Sequence, residues 1–301
     1  MENREEKIIS YADITFAESY KKNPNVVKGI GDDTAILSPL PKNFLQLVTI
    51  DTITEGTHFT SDTSPEQIGK KAMAVNISDI AAMGGIPVAA VISAALPKNI
   101  SMDFLKKIIR GINSLAKKYN VAVVGGDTVG SKNLSLTITL LGKVEKSMLC
   151  ERNTAKIGNI IAVTGKLGGS FETNKHLSFS PRLYEARWLA EKAKPTAMMD
   201  LSDGLAMDAS RMACASNVSI KLFSENIPVT KNFTLENALF DGEDFELLCA
   251  FDKNTFTPRL QKEFQKKFKL NLSVVGQTAQ PPGKIFLDDK ILKINAFDHW
   301  A

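Results

Sequence analysis

Soft metal ligands are scarce in this sequence, with three cysteines and three histidines among 301 residues. Cys150, Cys214 and Cys249 form no CxxC pair and are odd in number. That pattern excludes a disulfide framework and a zinc site of the usual spacing. Three ordinary thiols suit a reducing compartment, so the expected location is the cytoplasm. Long apolar runs are also missing. The longest uncharged stretch, Ile80 to Pro97, is near the roughly 18 residues of a membrane-spanning candidate. It is broken near its start by Gly84, Gly85 and Pro87, and two short elements account for it better. Met1 to Lys7 is crowded with charge and leads into no apolar segment, so it does not read as a signal peptide. Nor is one sign of charge concentrated. Lys and Arg exceed Asp and Glu by 37 − 33 = 4, with no run of five or six like charges, which argues against nucleic acid as a partner.

Familiar nucleotide and hydrolase signatures are absent too. Gly165-Lys166-Leu167-Gly168-Gly169-Ser170 lacks the GK[ST] ending of a P-loop. The protein-kinase catalytic and metal-binding motifs do not occur. Gly29-Ile30-Gly31 begins a dinucleotide fingerprint but has Thr34 in place of its last glycine. His58 and His176 stand without a serine or cysteine elbow, which gives a hydrolytic triad little support.

What is present is a globular composition, 44% hydrophobic, in alternating elements. Phe44 to Ile50 reads as a strand running into Asp51. Ser64-Pro65-Glu66-Gln67 opens a helix that Gly84-Gly85 should end. Val88 to Ala95 reads as a buried strand, and residues 102–119 have helical period. Short strands follow at Val121 to Val124 and Leu134 to Val144. A second set comprises strands at Ile160 to Thr164, Ala197 to Met199, Phe245 to Phe251, Ser273 to Gly276 and Ile285 to Leu287. It also contains a helix over 181–193 and another starting near Ser202. The polar segment Lys146 to Gly158 separates the sets, giving expected domains of 1–146 and 147–301. The fold class is α/β (α+β) with two domains.

Aspartates cluster in the punctuation between these elements: Gly31-Asp32-Asp33, Asp51-Thr52, Asn76 and Asp79 on one helix face, Gly126-Asp127-Thr128, Asp200-Leu201-Ser202-Asp203-Gly204, and Gly242-Glu243-Asp244. Each alone is as readily a turn, a cap or a solvated face. Together they suit hard cations. Mg²⁺ prefers oxygen ligands, and several carboxylates converging on one point repel one another unless cations stand among them. More than one Mg²⁺ on a polyphosphate, and phosphoryl transfer as the chemistry, are the expectations.

At these residues the chain resembles thiamine-monophosphate kinase, within the aminoimidazole-ribonucleotide synthetase superfamily. The specific blocks are Asp51-Thr52-Ile53-Thr54-Glu55-Gly56-Thr57-His58-Phe59 and Val75-Asn76-Ile77-Ser78-Asp79-Ile80-Ala81-Ala82-Met83-Gly84. Ile30 to Thr34, Gly125 to Thr128, Asp200 to Leu205 and Gly242 to Leu248 complete the set, and the resemblance runs on to Phe297-Asp298-His299-Trp300. It implies ATP-dependent phosphorylation of thiamine monophosphate to thiamine diphosphate, with several Mg²⁺ ions and no protein nucleophile or general base. It also implies a homodimer in which the N-terminal mixed sheets of two subunits form a shared barrel, each followed by a C-terminal α/β domain. By matching positions, Asp33, Thr49, Ile50, Asp51, Asp79, Asp127, Asp200 and Asp203 hold metal. Gly126, Arg152 and Ser202 contact ATP, and His58, Glu243 and Phe297 contact the acceptor.

The chain departs from the family pattern in places. Ile50 replaces a polar residue and can ligate only through its carbonyl. Val129-Gly130-Ser131 stands where an Arg is usual, Phe240-Asp241 where small residues are common, and the stretch His176 to Arg182 lacks an earlier proline. The chemistry of the acceptor agrees with the resemblance. A phosphate monoester with a second pKa near ~6 is largely dianionic at neutral pH and needs no base to activate it. Phe297 or Trp300 can stack on a flat heterocycle or form a terminal hydrophobic plug, and Glu243 can bond an aminopyrimidine. Two rivals stay open at this point: another ATP-dependent activity of the superfamily, and a silent nucleotide-binding scaffold.

Overall fold

The computed structural model describes residues 4–30 and 34–294. The chain divides into two compact units. One comprises residues up to Ile80 with Gly85–Lys146, and the other Ala81–Gly84 with residues from Ser147 onward. In chain order the first unit contains α1 (Arg4–Lys21), β1 (Val26–Lys28), β2 (Ile36–Leu37), β3 (Phe44–Thr54), α2 (Pro65–Ala82), β4 (Ile86–Pro97), α3 (Met102–Tyr119), β5 (Ala122–Ser131) and β6 (Ser135–Glu145). Strands β3-β6-β4-β5 form a four-stranded sheet in that order, antiparallel except for the parallel β4–β5 pair.

Alternation along these strands sorts the two faces of this sheet. Leu136, Ile138 and Leu140 of β6 are buried, whereas Val48 and Ile50 of β3, on the opposite face, are 65% and 62% exposed. Helices α2 and α3 meet where neither has a side chain. A Cβ on Gly69 would lie 2.1 Å from the Ile108 carbonyl oxygen, and one on Gly111 would lie 2.1 Å from that of Glu66. The helix ends follow from local chemistry. Ser101 Oγ accepts from Phe104 N–H and caps α3, and Asn120 in the left-handed region closes it.

The second unit contains β7 (Ile160–Thr164), α4 (Lys175–Ser178), α5 (Leu183–Lys192), β8 (Ala197–Asp200), α6 (Leu205–Ala215), β9 (Ser219–Leu222), α7 (Leu235–Phe240), β10 (Leu247–Phe251), α8 (Pro258–Phe268), β11 (Leu272–Ala279), β12 (Ile285–Leu287) and β13 (Lys290–Ile291). Its strands form one sheet in the order β13-β12-β9-β11-β7-β10-β8. All neighbours are antiparallel except β12 and β9. Ile161, Val163, Leu248 and Ala250 join Leu205, Ala209 and Met212 of α6 in the core. Burial of the larger of these side chains, worth about 1.5–3 kcal/mol each, drives the packing. Helices α5 and α8 join through Trp188, whose ring centroid lies 5.8 Å from that of Phe264 and 6.1 Å from that of Phe268.

The mixed α/β class read from the sequence holds. Two local readings change. The stretch Gly125 to Ser131 is strand rather than loop, because β5 continues through it alongside β4. Arg4–Lys21, to which the sequence reading assigns no element, is an 18-residue helix. Among the described residues no helix is long and apolar enough to cross a membrane, and no disulfide joins the three cysteines.

Candidate active site

In the first unit Asp51 comes from β3 and Asp79 from α2, which crosses the inner face of the sheet. Asp51 stands opposite Ile138 of β6, whose other neighbour is Ile92 of β4. Its side chain therefore points to the apolar, helix-covered side. The Asp51 and Asp79 carboxyl groups contact each other there. Burial and the nearby charge of Asp79 push the Asp51 carboxyl up to about 7. Asp79 is also raised, again chiefly by burial, with the Thr49 hydroxyl acting the other way. That hydroxyl donates to Asp79 Oδ2 at 2.5 Å. One turn of α2 before Asp79, Asn76 donates through Nδ2 to the Ala72 carbonyl, while its Oδ1 is buried with no partner among the described residues. Two carboxylates, a hydroxyl and an amide oxygen thus lie on neighbouring positions of one strand and one helix. All are hard oxygen donors with no sulfur or imidazole among them, and they fit Mg²⁺.

The remaining assigned residues of this unit are spread more widely. Ile50 carries its side chain on the exposed face, so its carbonyl is the group available as a ligand. Asp127 lies in the register row of Thr52, Thr137 and Ser93, next to the row that contains Asp51. The structure does not bring it against the Asp51–Asp79 pair. Gly126 has a steric reason to be glycine, because a Cβ there would sit 2.2 Å from the Ile92 carbonyl oxygen. Gly125 to Thr128 also line a largely apolar cavity of about 960 Å³, with Phe16 of α1 and Ile109 of α3. Its size is that of a small-molecule or cofactor pocket.

His58 follows β3. Its Nδ1 accepts the Thr54 N–H at 3.1 Å, which places the ring proton on Nε2. The buried Lys71 ammonium donates to the His58 carbonyl at 2.7 Å. Asp33 and Phe297 lie outside the described residues. Among the described residues no three acidic, histidine or cysteine side chains converge on one point.

In the second unit two motifs lie back to back. Leu201 N–H donates to the Glu246 carbonyl and Phe245 N–H to that of Leu201, both at 2.8 Å, and Glu243 N–H donates to that of Ser202 at 2.7 Å. The approach is close enough that a Cβ on Gly242 would lie 2.8 Å from the Ser202 carbonyl oxygen. Glu243 and Phe245 both adopt positive φ, 52° and 49°. Each costs about 1–2 kcal/mol for an L-residue and persists because those main-chain bonds, and the stacking of Phe245 on Phe179 at 4.1 Å, hold it.

Asp200 ends β8, opposite Leu247 of β10. Asp203 is engaged by Arg211 and accepts from the Ser202 hydroxyl at 3.1 Å. Asp208, fully buried in the first turn of α6, accepts the Asp203 N–H at 2.9 Å and Arg211 Nη1 at 2.8 Å. Burial raises its carboxyl to about 6. Arg152 is exposed, with its carbonyl fixed by the Ser216 hydroxyl at 3.0 Å.

Two carboxylates from the Gly242 motif turn inward. Glu246 receives Arg182 bidentately, at 2.7 Å from Nε and 2.6 Å from Nη2, and the Thr164 hydroxyl at 2.7 Å. Asp244 accepts the Gly168 N–H at 2.9 Å, the Ser170 hydroxyl at 3.0 Å and Lys175 Nζ at 3.2 Å. Asp244 reads from sequence as part of an acidic cluster for cations, and the structure instead gives it a bracing role; Glu246, Lys71, Asp208 and Arg211 are residues that reasoning from sequence alone missed.

The chain is similar to known proteins over most of its length. Residues 31–144 match the family model of the AIR synthase related protein, N-terminal domain, and residues 156–288 that of the C-terminal domain. The chain is 34% identical over 317 residues to thiamine-monophosphate kinase of Buchnera aphidicola subsp. Acyrthosiphon pisum, covering 95% of this chain and 96% of the relative. The crystal structure of thiamine-monophosphate kinase from Stenotrophomonas maltophilia superposes with a TM-score of 0.84 at 28% identity, covering 93% and 97%. A structure of AaThiL complexed with AMPPCP and TMP superposes with a TM-score of 0.77 at 27% identity, covering 99% of each chain.

Proposed function

The chain belongs to the thiamine-monophosphate kinases of the AIR synthase related family, and from that membership we propose that it moves the γ-phosphoryl group of ATP onto thiamine monophosphate by direct in-line displacement assisted by several Mg²⁺ ions. The observation that carries the metal part is the half-buried Asp51–Asp79 pair with the Thr49 hydroxyl upon it. Two carboxyls held this close share a proton unless a cation replaces it. Thr49, Asp51 and Asp79 would hold metal, and Asp33, Asp127, the Ile50 carbonyl, Asp200 and Asp203 are the other residues proposed as metal ligands. Bound Mg²⁺ would supply charge neutralisation on the polyphosphate and the incoming phosphate.

The chain's own residues do the rest. The fixed carboxylates set where the phosphates can stand. Gly126 leaves its strand bare at the wall of the apolar cavity, and with Ser202 and the exposed Arg152 it would contact the nucleotide. Arg152 would screen the repulsion of two anions brought together, which is the main task when the acceptor is already a dianion. His58, Glu243 and Phe297 would contact the acceptor. His58 donates only from Nε2, since Nδ1 is committed to Thr54 N–H, so it binds an acceptor atom rather than relaying a proton. This supports a reaction with neither protein nucleophile nor general base.

The exposed apolar residues Val48, Ile50, Val91 and Val129 of the first unit support a homodimer closed through this face into a shared barrel; a sedimentation mass of one chain would contradict that pairing. We place the enzyme in the cytoplasm, where its free thiols stay reduced; a pool confined to membrane or periplasmic fractions would contradict that.

Direct transfer is tested by stereochemistry. With ATP made chiral at the γ-phosphorus by oxygen isotopes, the account expects inversion at the terminal phosphorus of thiamine diphosphate. Retention would require a phosphorylated protein intermediate and would overturn the in-line reading.

A further inference from the structure

His176 is a buried imidazole that the chemistry above leaves without a role. Its Nδ1 lies 3.1 Å from Glu243 Oε2, and the two side chains are 6% and 16% exposed. A carboxylate only accepts, so Nδ1 carries the proton and donates to it. The ring is steadied by Phe171, with centroids 4.3 Å apart and planes tilted by 32°. The main chain is fixed as well, with His176 N–H donating to the Ser170 carbonyl at 3.2 Å. Its neighbour Lys175 ties the segment to the Gly242 motif, donating to Asp244 at 3.2 Å and lying 3.4 Å from Glu246. The imidazole is therefore presented to Glu243 by a segment anchored, one and three residues further along, to the same stretch of chain.

The backbone around Glu243 is already restricted by its left-handed conformation and its bond to Ser202. What remains mobile in a glutamate is its side chain, which loses rotamer freedom when it is fixed. A carboxylate offers about four lone-pair positions, so a bond from His176 leaves acceptor capacity for an amino group.

We infer that His176 is a positioning residue for the acceptor: its Nδ1–H orients the Glu243 carboxylate toward an amino-bearing aromatic heterocycle, and so sets acceptor affinity without touching the transferred phosphoryl group. The inference rests on the proposed contact of Glu243 with the acceptor.

The test is steady-state kinetics on the full-length enzyme with ATP, Mg²⁺ and thiamine monophosphate, each substrate varied in turn. His176→Phe keeps the ring against Phe171 and removes the donor. It is expected to raise the acceptor KM about tenfold, with kcat and the ATP KM unchanged. His176→Asn carries an amide N–H near the Nδ1 position and is expected to stay within about threefold of wild type. His176→Gln places its donor nearer Nε2 and is expected to behave like His176→Phe. The contrast between Asn and Gln carries the test if the Phe variant does not fold. In a double-mutant cycle, His176→Phe should add nothing once Glu243 is alanine.

A Glu243→Ala variant with an unchanged acceptor KM removes the premise, and the inference falls with it. A raised KM in Glu243→Ala beside a normal one in His176→Phe overturns the inference alone. So do equal losses with Asn and Gln, a fall in kcat together with a higher ATP KM, or additivity in the cycle, each of which marks His176 as a packing residue only.

Discussion

Asp51 begins with an ordinary carboxyl in the unfolded chain, titrating near ~4, and ends in the folded protein at about 7 through burial and the charge of Asp79. Between those values the folded state keeps a proton that the unfolded chain has released. Stability therefore falls as pH rises through that window, and the loss is complete above about pH 7. Asp51→Asn removes this dependence. In metal-free protein at pH 8 we expect it to be more stable than wild type by about 2 kcal/mol, and equal to it near pH 4. Turnover in the same variant should drop at least ~100-fold, since a charged ligand is lost without a change of volume. Urea unfolding at the two pH values checks the first part, and an Asn variant less stable at pH 8 would contradict the account of the pair. Asp51 and Asp79 were legible in the sequence because each sits in a block of characteristic spacing. Lys71 and Asp208 were not, since a charge buried to brace the main chain is written with the same letter as one on the surface. Only folding shows that Lys71 turns inward to the His58 carbonyl, 1% exposed, while its neighbour Lys70 does not.

At the scale of elements, the periodic helices α2 and α3 were legible almost to the residue, and α1 was not. The buried Phe16 and Tyr20 of α1 are spaced as a helix requires, but Ile9 and Ile14 remain 49% and 74% exposed, so its apolar residues mark no single face. The Gly125-Gly126 pair misled in the other direction. Such a pair usually punctuates, yet here β5 continues through it because the bare Gly126 backbone packs on Ile92. The helix pair α2–α3 gives a prediction of the same kind. In the middle of an exposed helix, Gly→Ala gains about 1 kcal/mol. At Gly111 the new methyl would stand 2.1 Å from the Glu66 carbonyl oxygen, forcing the helices apart. Gly111→Ala should therefore destabilise the protein by about 1–3 kcal/mol in denaturant unfolding, and a gain in stability would show that the close approach is not what holds this glycine.

For the molecule as a whole, local patterns named most strands but not their neighbours. Strand β11 lies between β9 and β7 in the second sheet, although five helices and more than a hundred residues separate it from β7 along the chain. Such order is decided by which apolar faces must be covered together rather than by any local signal. The candidate site was legible in inverse proportion to its reliance on that order. The Asp51 and Asp79 blocks announced themselves, whereas the support of Glu243 by His176 required two segments about seventy residues apart to be folded together. The most direct test of the proposed chemistry uses the whole enzyme. That test follows thiamine diphosphate formation from ATP and thiamine monophosphate as Mg²⁺ is raised from zero to beyond the nucleotide concentration. The account predicts product only when all three are present, with rate still rising after every ATP has its first ion; ATP consumption without thiamine diphosphate, or full rate with no Mg²⁺, would contradict it.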